Sequence, residues 1–467
     1  MDMSIFREYD IRGIFEENLT KQSVFGIGAL LGQRILSAGE CAVAIGYDAR
    51  THSPILYEWL KDGFMASGVE VYFMGMIPTP VAYFATFHEI DSGVSAIKSS
   101  VMITGSHNPP QYNGFKITIS QKPFYGEQIK ALGVELAGLL EQGKLAYTAS
   151  SVQAKPLNAL EAYQDFLVAH FKKLEGFPYE VVFDYGNGVG AIGLESVLAR
   201  LGIKHVSLYE TPDGTFPNHH PDPSEEKNLA DVKATMKERK IPIGIAFDGD
   251  ADRVALMSEN HNYKGDEMAI LFARDMAKSI ARPIVIGEVK CSQVMYDEIN
   301  AIGQAVMYKT GHSNLKTKLK ELNAHLAAEM SGHLFFHDRY FGYDDALYAG
   351  LRALELFVDS TPAQIESAIN ALPKLYSTDE EKIATTEEKK FTQITALKSA
   401  LVNPPSSFPH IREIIDIDGV RVVFDEGWAL VRASNTTPVL VTRFEATSQE
   451  ALARYKDQVL SLLQSLN

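Results

Sequence analysis

Three times before residue 372, short apolar, β-branched runs alternate with longer helix-like stretches, and this alternation restricts the fold more than any other feature. In the first block residues 42–46, 69–73 and 101–103 read as strands, with helices over 54–65 and 81–87. In the second, strands at 181–183, 205–208 and 244–247 surround a helix running through Val197 and Leu198 and another ahead of Gly244. In the third, a helix over 268–276 leads to strands 284–286 and 305–307, with helices near Val294 and over 314–322. Apolar strands linked by helices need a mostly parallel sheet covered on both faces, because the crossovers lie on those faces. The blocks share spacing rather than residue identity, and each carries a polar loop after a strand. After residue 372 the order changes. Charged stretches at 380–382 and 387–390 read as a mobile entry and 403–407 as a loop. Strands then follow at 420–424, 428–432 and 439–444, with a last helix from Ser448. That is an α+β pattern. The expectation is three related α/β domains with mixed, mostly parallel sheets, at residues 1–148, 149–255 and 256–371, and a C-terminal α+β domain at 372–467.

Composition narrows the function by exclusion. A net charge of −15 argues against nucleic acid or an anionic membrane as partner. It also means that any phosphate-bearing substrate needs basic side chains gathered locally. Cys41 and Cys291 are the two cysteines, far apart and outside any CxxC pattern, so a reducing cytoplasm is the default compartment. Residues 1–7 lack the basic-then-apolar order of a signal peptide, and no apolar run is long enough for a bilayer.

The chemistry is concentrated in loops. Val101-Met102-Ile103 runs into Thr104-Gly105-Ser106-His107-Asn108-Pro109-Pro110. Such a turn holds the Ser106 hydroxyl at the C-terminal edge of a sheet, where open α/β sheets bind ligands. The two prolines remove donors and stiffen the exit. The strand 245–247 runs into Asp248-Gly249-Asp250-Ala251-Asp252-Arg253. Three carboxylates at alternate positions can converge on a hard cation, with Gly249 allowing the turn. An EF-hand would need a further Gly, a later Glu and flanking helices; a solvated acidic turn has the same spacing. Arg432-Ala433-Ser434-Asn435-Thr436-Thr437-Pro438 lies between two C-terminal strands. An Arg, small polar side chains and open backbone N–H groups make a phosphate cradle, or an ordinary polar hairpin loop. The remaining motifs are equally two-sided. Arg12 in Tyr9-Asp10-Ile11-Arg12-Gly13 could form a surface ion pair, and Lys116 could be a solvated strand charge. The segments 287–290, 310–313 and 329–333 could be plain strand-to-helix turns, with His333 structural.

Together, in this order, these loops resemble the α-D-phosphohexomutases, specifically the phosphomannomutase/phosphoglucomutase branch, and the resemblance covers the whole chain. T-G-S-H-N-P-P is similar to the phosphoserine loop, and D-G-D-A-D-R to a metal loop usually written D-G-D-G-D-R. E-M-S-G-H at 329–333 is similar to the sugar-reading loop. The resemblance implies four domains around one central cleft. It implies an isomerase that moves a phosphoryl group between O1 and O6 of mannose or glucose through phosphoserine 106 and a hexose 1,6-bisphosphate. Catalytic roles fall on Ser106, His107, Lys116, Arg12 and Arg253. Lys116 would be a candidate general base, its pKa lowered by desolvation beside cations. Mg²⁺ would be held by Asp248, Asp250 and Asp252 together with the phosphate on Ser106. Substrate contacts fall on Tyr9, Lys290, His312, Glu329, Ser331, His333, Arg432, Ser434, Asn435 and Thr436, with Glu329 and Ser331 on adjacent ring hydroxyls. Glucose 1,6-bisphosphate is the expected activator, phosphosugars the expected partners, and a monomer or weak homodimer the expected state. Ala251 departs from the family's Gly, which matters if that position needs φ > 0; Ala328 also replaces a usual Gly. Met330 speaks against phosphoglucosamine mutase, which typically carries Gln there. A non-catalytic phosphosugar-binding relative would have lost Ser106 or a metal-loop Asp, and all are present.

Overall fold

The strands form four separate sheets in this structure, a computed structural model that describes residues 2–90, 96–435 and 437–466. In the first, Ala42–Tyr47 lies parallel between Ser100–Ile103 and Glu70–Met76, and Lys155–Pro156 extends that edge. Tyr112–Ile119 pairs antiparallel with Ser100–Ile103, and Ile11–Ile14 antiparallel with it in turn. In the second, His205–Leu208, Val181–Asp184 and Ile243–Phe247 are parallel, and Val254–Ser258 and Asn262–Tyr263 complete it antiparallel. In the third, Gln304–Tyr308, Ile284–Glu288 and Leu326–Ala328 are parallel and Leu334–Phe336 closes it antiparallel. The repeat is topological. In each sheet one parallel strand passes to an antiparallel neighbour through a short connection, and those connections (104–111, 248–253 and 329–333) are the three site loops. Only antiparallel neighbours can be joined so tightly; parallel ones need a crossover helix. Each site loop is therefore held at both ends by paired strands.

The fourth sheet is antiparallel throughout and is backed by helices Lys390–Val402 and Gln449–Ser465. The charged stretch expected to be mobile is ordered in part: Glu381–Ala384 pairs with Val439–Ala446 along four residues. Its alternating exposure explains the misreading, because an edge strand with outward charges has little apolar signal. Spacing also missed helix Ala346–Leu356, which is buried at every position, Arg352 and Glu355 included. The boundary expected at 148 leaves Lys155–Pro156 outside the sheet it completes, and the one expected at 255 falls inside Val254–Ser258, with Asn262–Tyr263 beyond it.

One large core joins the three α/β units: Tyr72, Phe84 and Met102 share it with Phe183, Phe247, Leu347 and Phe336. The C-terminal unit has a separate core around Leu397, Val422, Phe444 and Tyr455. It meets the third unit through a small cluster of Val289, Trp428 and Leu430. Three units thus form one scaffold, and the fourth is attached to it. Among the described residues, no helix is long and apolar enough to cross a membrane.

Candidate active site

The first and second site loops meet face to face. Ser106 has φ 49°, a left-handed conformation that is uncommon outside glycine and raises its side chain from the sheet edge. Its Oγ lies 3.1 Å from Asp248 Oδ2 and 3.0 Å from His107 Nδ1. A Cβ at Gly249 would sit 2.7 Å from the Ser106 carbonyl oxygen, so only glycine allows this approach. Asp248 is further tied by the Asp252 and Arg253 N–H groups, which donate to its Oδ1 at 3.0 and 3.1 Å. Ala251 adopts φ 61°, so the position does need the left-handed conformation, and alanine occupies it with its methyl in the core.

One carboxylate oxygen from each of Asp248, Asp250 and Asp252 lies within 4.8 Å of the others, and all three residues are 0% exposed. Burial and the two neighbouring carboxylates hold Asp248 well above the usual carboxylate range. Burial also pushes Asp252 up, but Lys116 and His333 overrule it and bring its pKa well below normal. Asp250 Oδ1 is buried with no hydrogen-bond partner among the described residues. An all-oxygen, anionic set with an orphaned lone pair fits a hard divalent cation such as Mg²⁺.

Cations surround this cluster. Lys116 Nζ donates to Asp250 Oδ2 at 2.6 Å and to Asp252. Burial alone would lower its pKa, but Asp250 and Asp252 outweigh burial and raise it. The resemblance placed cations beside this lysine; in the structure its nearest charges are the carboxylates of Asp250 and Asp252. Arg12 donates to Asp10, Asn108 and, at 3.5 Å, the Gly105 carbonyl. Arg253 lies 3.3 Å from His333 Nε2 and 3.7 Å from Asp222. His107 is neutral, held well below its ordinary pKa by burial and then by Arg253 and Arg12.

The third loop joins through His333. Its ring nitrogens lie 3.2 Å from Asp252 Oδ1 and 2.7 Å from Glu329 Oε2, and these carboxylates overcome burial to push its pKa up to about 10. Glu329 also accepts from the Gly311 N–H at 2.6 Å, and Ser331 Oγ lies 3.2 Å from His333 Nδ1. His312 packs edge-on to Tyr9 with centroids 6.0 Å apart, and burial holds its pKa well below normal. At the far side Tyr9 OH donates to the Thr310 carbonyl at 2.8 Å and accepts from Asn435 Nδ2 at 2.7 Å, linking three units. Arg432 Nε donates to Asp418 Oδ2 at 3.0 Å, and the same oxygen accepts the Thr310 N–H at 3.1 Å. Lys290 pairs with Glu380 at 2.6 Å, and Lys390 donates to the Ser434 carbonyl at 2.7 Å. Thr436 lies outside the described residues. The expected residues thus fall into two groups on one cleft. One surrounds Ser106 and the Asp loop. The other comprises Lys290, Arg432, Ser434 and Asn435, tied to Glu380, Asp418, Lys390 and Tyr9.

Sequence reading missed the partners that hold these side chains. Thr79 opens helix Thr79–Phe87, and its Oγ1 and N–H donate to Asp250 Oδ2 and O at 2.6 and 2.9 Å. Asp222 comes from the long loop between His205–Leu208 and helix Ala230–Arg239. Asp418 sits in a turn before Val420–Val423. Each is a single polar residue far along the chain from the side chain it holds, except Asp418, which lies 14 residues before Arg432, and none falls in a motif whose spacing would expose it. Arg50, fully buried beneath the Ser106 loop, was the most legible of those missed, since Asp48-Ala49-Arg50 directly follows a strand.

Three α/β units presenting matched loops, an acidic cluster facing a serine, and a fourth unit with an Arg loop define an intramolecular phosphotransferase of the phosphohexomutase type. Family models agree along the chain: phosphoglucomutase/phosphomannomutase α/β/α domains I, II and III match residues 3–134, 161–262 and 264–376, and the C-terminal domain matches 380–462. A phosphomannomutase/phosphoglucomutase of Pseudomonas aeruginosa is 41% identical over 460 residues, covering 97% of this chain and 94% of that one. A Neisseria meningitidis phosphoglucomutase is 39% identical over 464 residues, covering 99% and 97%. The crystal structure of a phosphoglucomutase/phosphomannomutase family protein from Burkholderia thailandensis superposes with TM-score 0.90 at 37% identity, covering 100% of this chain and 98% of that one. The chain belongs to the phosphoglucomutase/phosphomannomutase family, isomerases of carbohydrate metabolism.

The two small residues of the acidic loop should differ in their tolerance of exchange. Gly249→Ala must push that loop off the Ser106 carbonyl, and a displacement near 1 Å lowers turnover by about 10²-fold. Ala251→Gly relieves about 1–2 kcal/mol of left-handed strain and gives up about 0.8 kcal/mol of methyl burial. Its turnover and Mg²⁺ affinity should stay within about threefold of the parent, less than 1.4 kcal/mol. Steady-state kinetics and calorimetric Mg²⁺ titration check both; a large gain in affinity for Ala251→Gly would mean that alanine deforms the loop.

Proposed function

We propose that this enzyme interconverts the 1- and 6-phosphates of mannose and glucose through a phosphoserine at Ser106 and a hexose 1,6-bisphosphate. The observation that carries this is the Ser106 Oγ held against Asp248 at the centre of a buried ring of matched charge. The phosphoryl group passes from Ser106 Oγ to the free hydroxyl of the bound monophosphate: one P–O bond breaks at the serine and another forms on the sugar. After the bisphosphate reverses end for end, its other phosphoryl group returns to Ser106. Mg²⁺ held by Asp248, Asp250 and Asp252 would neutralise charge on the transferred group. Arg12, Arg253 and Lys116 face the same group as fixed cations, so positioning and electrostatics carry most of the catalysis. In this reading Lys116 contributes as a protonated side chain, in keeping with its carboxylate neighbours. Arg432, Lys290, Ser434 and Asn435 hold the phosphate that is not reacting. His333, shared by Asp252 and Glu329, keeps the sugar-reading and acidic loops in register. Glucose 1,6-bisphosphate serves as activator, and the enzyme works in the cytoplasm as a monomer or weak homodimer. The four functional units follow the four sheets.

Ser106→Ala should abolish mutase activity with the fold intact, and intact mass should show a phosphoryl adduct on the parent protein alone. An adduct absent from the parent even after incubation with glucose 1,6-bisphosphate would defeat the phosphoenzyme cycle. Arg432→Ala should raise KM and release more bisphosphate into solution; unchanged values would put the phosphate cradle elsewhere.

Sugar specificity gives a second test. Reversal exchanges the adjacent hydroxyls O3 and O4, so a site using Glu329 and Ser331 for both reads the ring alike in either pose, and O2 has no dedicated partner. A site that hydrogen-bonds a distinguishing hydroxyl rejects the analogue by about 10⁴-fold, whereas an unread position gives far less. Mannose 1-phosphate and glucose 1-phosphate should therefore show comparable kcat/KM, and Glu329→Ala should lower both together. A preference near 10⁴-fold would mean that O2 is read.

A further inference from the structure

The Ser106 loop is built on one guanidinium. Arg50 is 1% exposed, and its two terminal nitrogens donate to three carbonyls of that loop and to that of Tyr112, which opens the next strand. Nη1 reaches Pro109 O at 2.6 Å and Tyr112 O at 2.8 Å; Nη2 reaches Ser106 O at 2.9 Å and Asn108 O at 2.6 Å. Its Nε donates to Asp48 Oδ2 at 3.2 Å, so every N–H of the group is used. Asp48 is fixed by the Arg50 N–H and Ser53 Oγ at 3.1 and 2.7 Å, and it accepts the Gly105 N–H at 3.1 Å. A Cβ on Gly105 would lie 2.3 Å from Arg50 Cζ, which explains the glycine of T-G-S-H: the backbone rests directly on the cation. From the second unit, Phe216 covers the guanidinium with its ring 5.2 Å away.

We propose that Arg50 is a positioning residue for phosphoryl transfer. It holds Ser106 in its left-handed backbone conformation and aims Oγ at Asp248 and the cleft. The inference rests on the reading of Ser106 as the nucleophile and assigns the residue that sets its geometry. Four carbonyls converging on one side chain fix the loop's shape as well as its stability. Lysine keeps the charge but has no planar fork, so it cannot hold four acceptors along two edges. Every contact of Arg50 named above is with its own segment, the Ser106 loop, the start of the next strand or the covering Phe216; none is with the sugar-reading or phosphate-holding loops. Its loss should therefore act on the chemical step and spare substrate affinity.

Arg50→Lys should lower kcat, per phosphorylated enzyme counted by intact mass, by about 10²-fold, with KM within about threefold of the parent. A residue that merely stabilised the fold would lower the melting temperature and leave kcat per phosphorylated molecule unchanged; that outcome overturns the proposal, as does an equal change in kcat and KM. Asp48→Asn keeps the shape of Arg50's partner and removes its charge, and should lower kcat by about tenfold. If Arg50→Lys does not fold, this variant decides: parental kcat in Asp48→Asn overturns the proposal. The parent protein run alongside separates the two readings. Failure of the parent to take a phosphoryl group from glucose 1,6-bisphosphate removes the nucleophile assignment and the proposal together. A normal parent with unaffected variants removes only the role of Arg50.

Discussion

Three carboxylates without solvent access are the constraint on which the rest of this molecule depends. An isolated buried carboxylate is costly enough that it is normally neutralised or paired. Asp248, Asp250 and Asp252 sit on one six-residue loop that supplies Arg253 and two backbone N–H donors to Asp248, and the remaining partners come from outside it. Lys116 comes from the first unit, and His333 from the third. Thr79, also from the first unit, satisfies one oxygen of Asp250. The charge of a single loop therefore dictates how three sheets are arranged about it. Their common apolar core then holds that arrangement.

The same logic explains where small residues are required. The Ser106 and Asp248 loops approach until backbone touches backbone, so Gly249 has no substitute with a side chain. Ala251 faces the core instead and tolerates a methyl despite its positive φ. Two positions separated by one residue thus carry opposite demands, which a motif written as alternating glycines does not distinguish.

Much of this was readable in advance because strands and site loops have local signals. The strands expected at 42–46, 181–183, 205–208 and 284–286 form as Ala42–Tyr47, Val181–Asp184, His205–Leu208 and Ile284–Glu288. The βα alternation also led to the shared units, although their equivalence lies in topology rather than in matched residues. Val254–Ser258 and Leu334–Phe336, the short antiparallel strands after two of the site loops, were not read from the sequence. The charges beside Lys116 were not legible in the sequence either: whether burial or charge prevails depends on which partners lie across the cleft. Asp250 and Asp252 are far from Lys116 in the chain and adjacent to it in space. Arg50, Asp222 and Asp418 were missed likewise, as single residues whose meaning comes from a neighbour on another strand end or another unit.

The C-terminal unit shows an unequal division of contacts. At its attachment to the third unit, Arg421 is 0% exposed, stacks 3.8 Å from the Trp428 ring and donates to the Val289 and Cys291 carbonyls at 2.6 and 2.9 Å. Trp428 Nε1 and the Gln293 N–H both donate to Glu445 Oε1, at 2.8 and 2.9 Å. These are charge-assisted, dry contacts, individually worth about 1.5–3 kcal/mol. Across the cleft, the hydrogen bond between the side chains of Asn435 and Tyr9, a tie to the first unit, is neutral, in the class worth about 0.5–1.5 kcal/mol. Releasing it exposes both groups to water, which replaces the lost partner. Charged contacts join this unit to the third along its whole length: Arg421 on the Val289 and Cys291 carbonyls, Lys290 with Glu380, and Asp418 on the Thr310 N–H beside Arg432. The three units that carry the Ser106, Asp248 and Glu329 loops share one core, whereas the unit that carries the Arg432 loop has its own and rests on the third unit and on Tyr9.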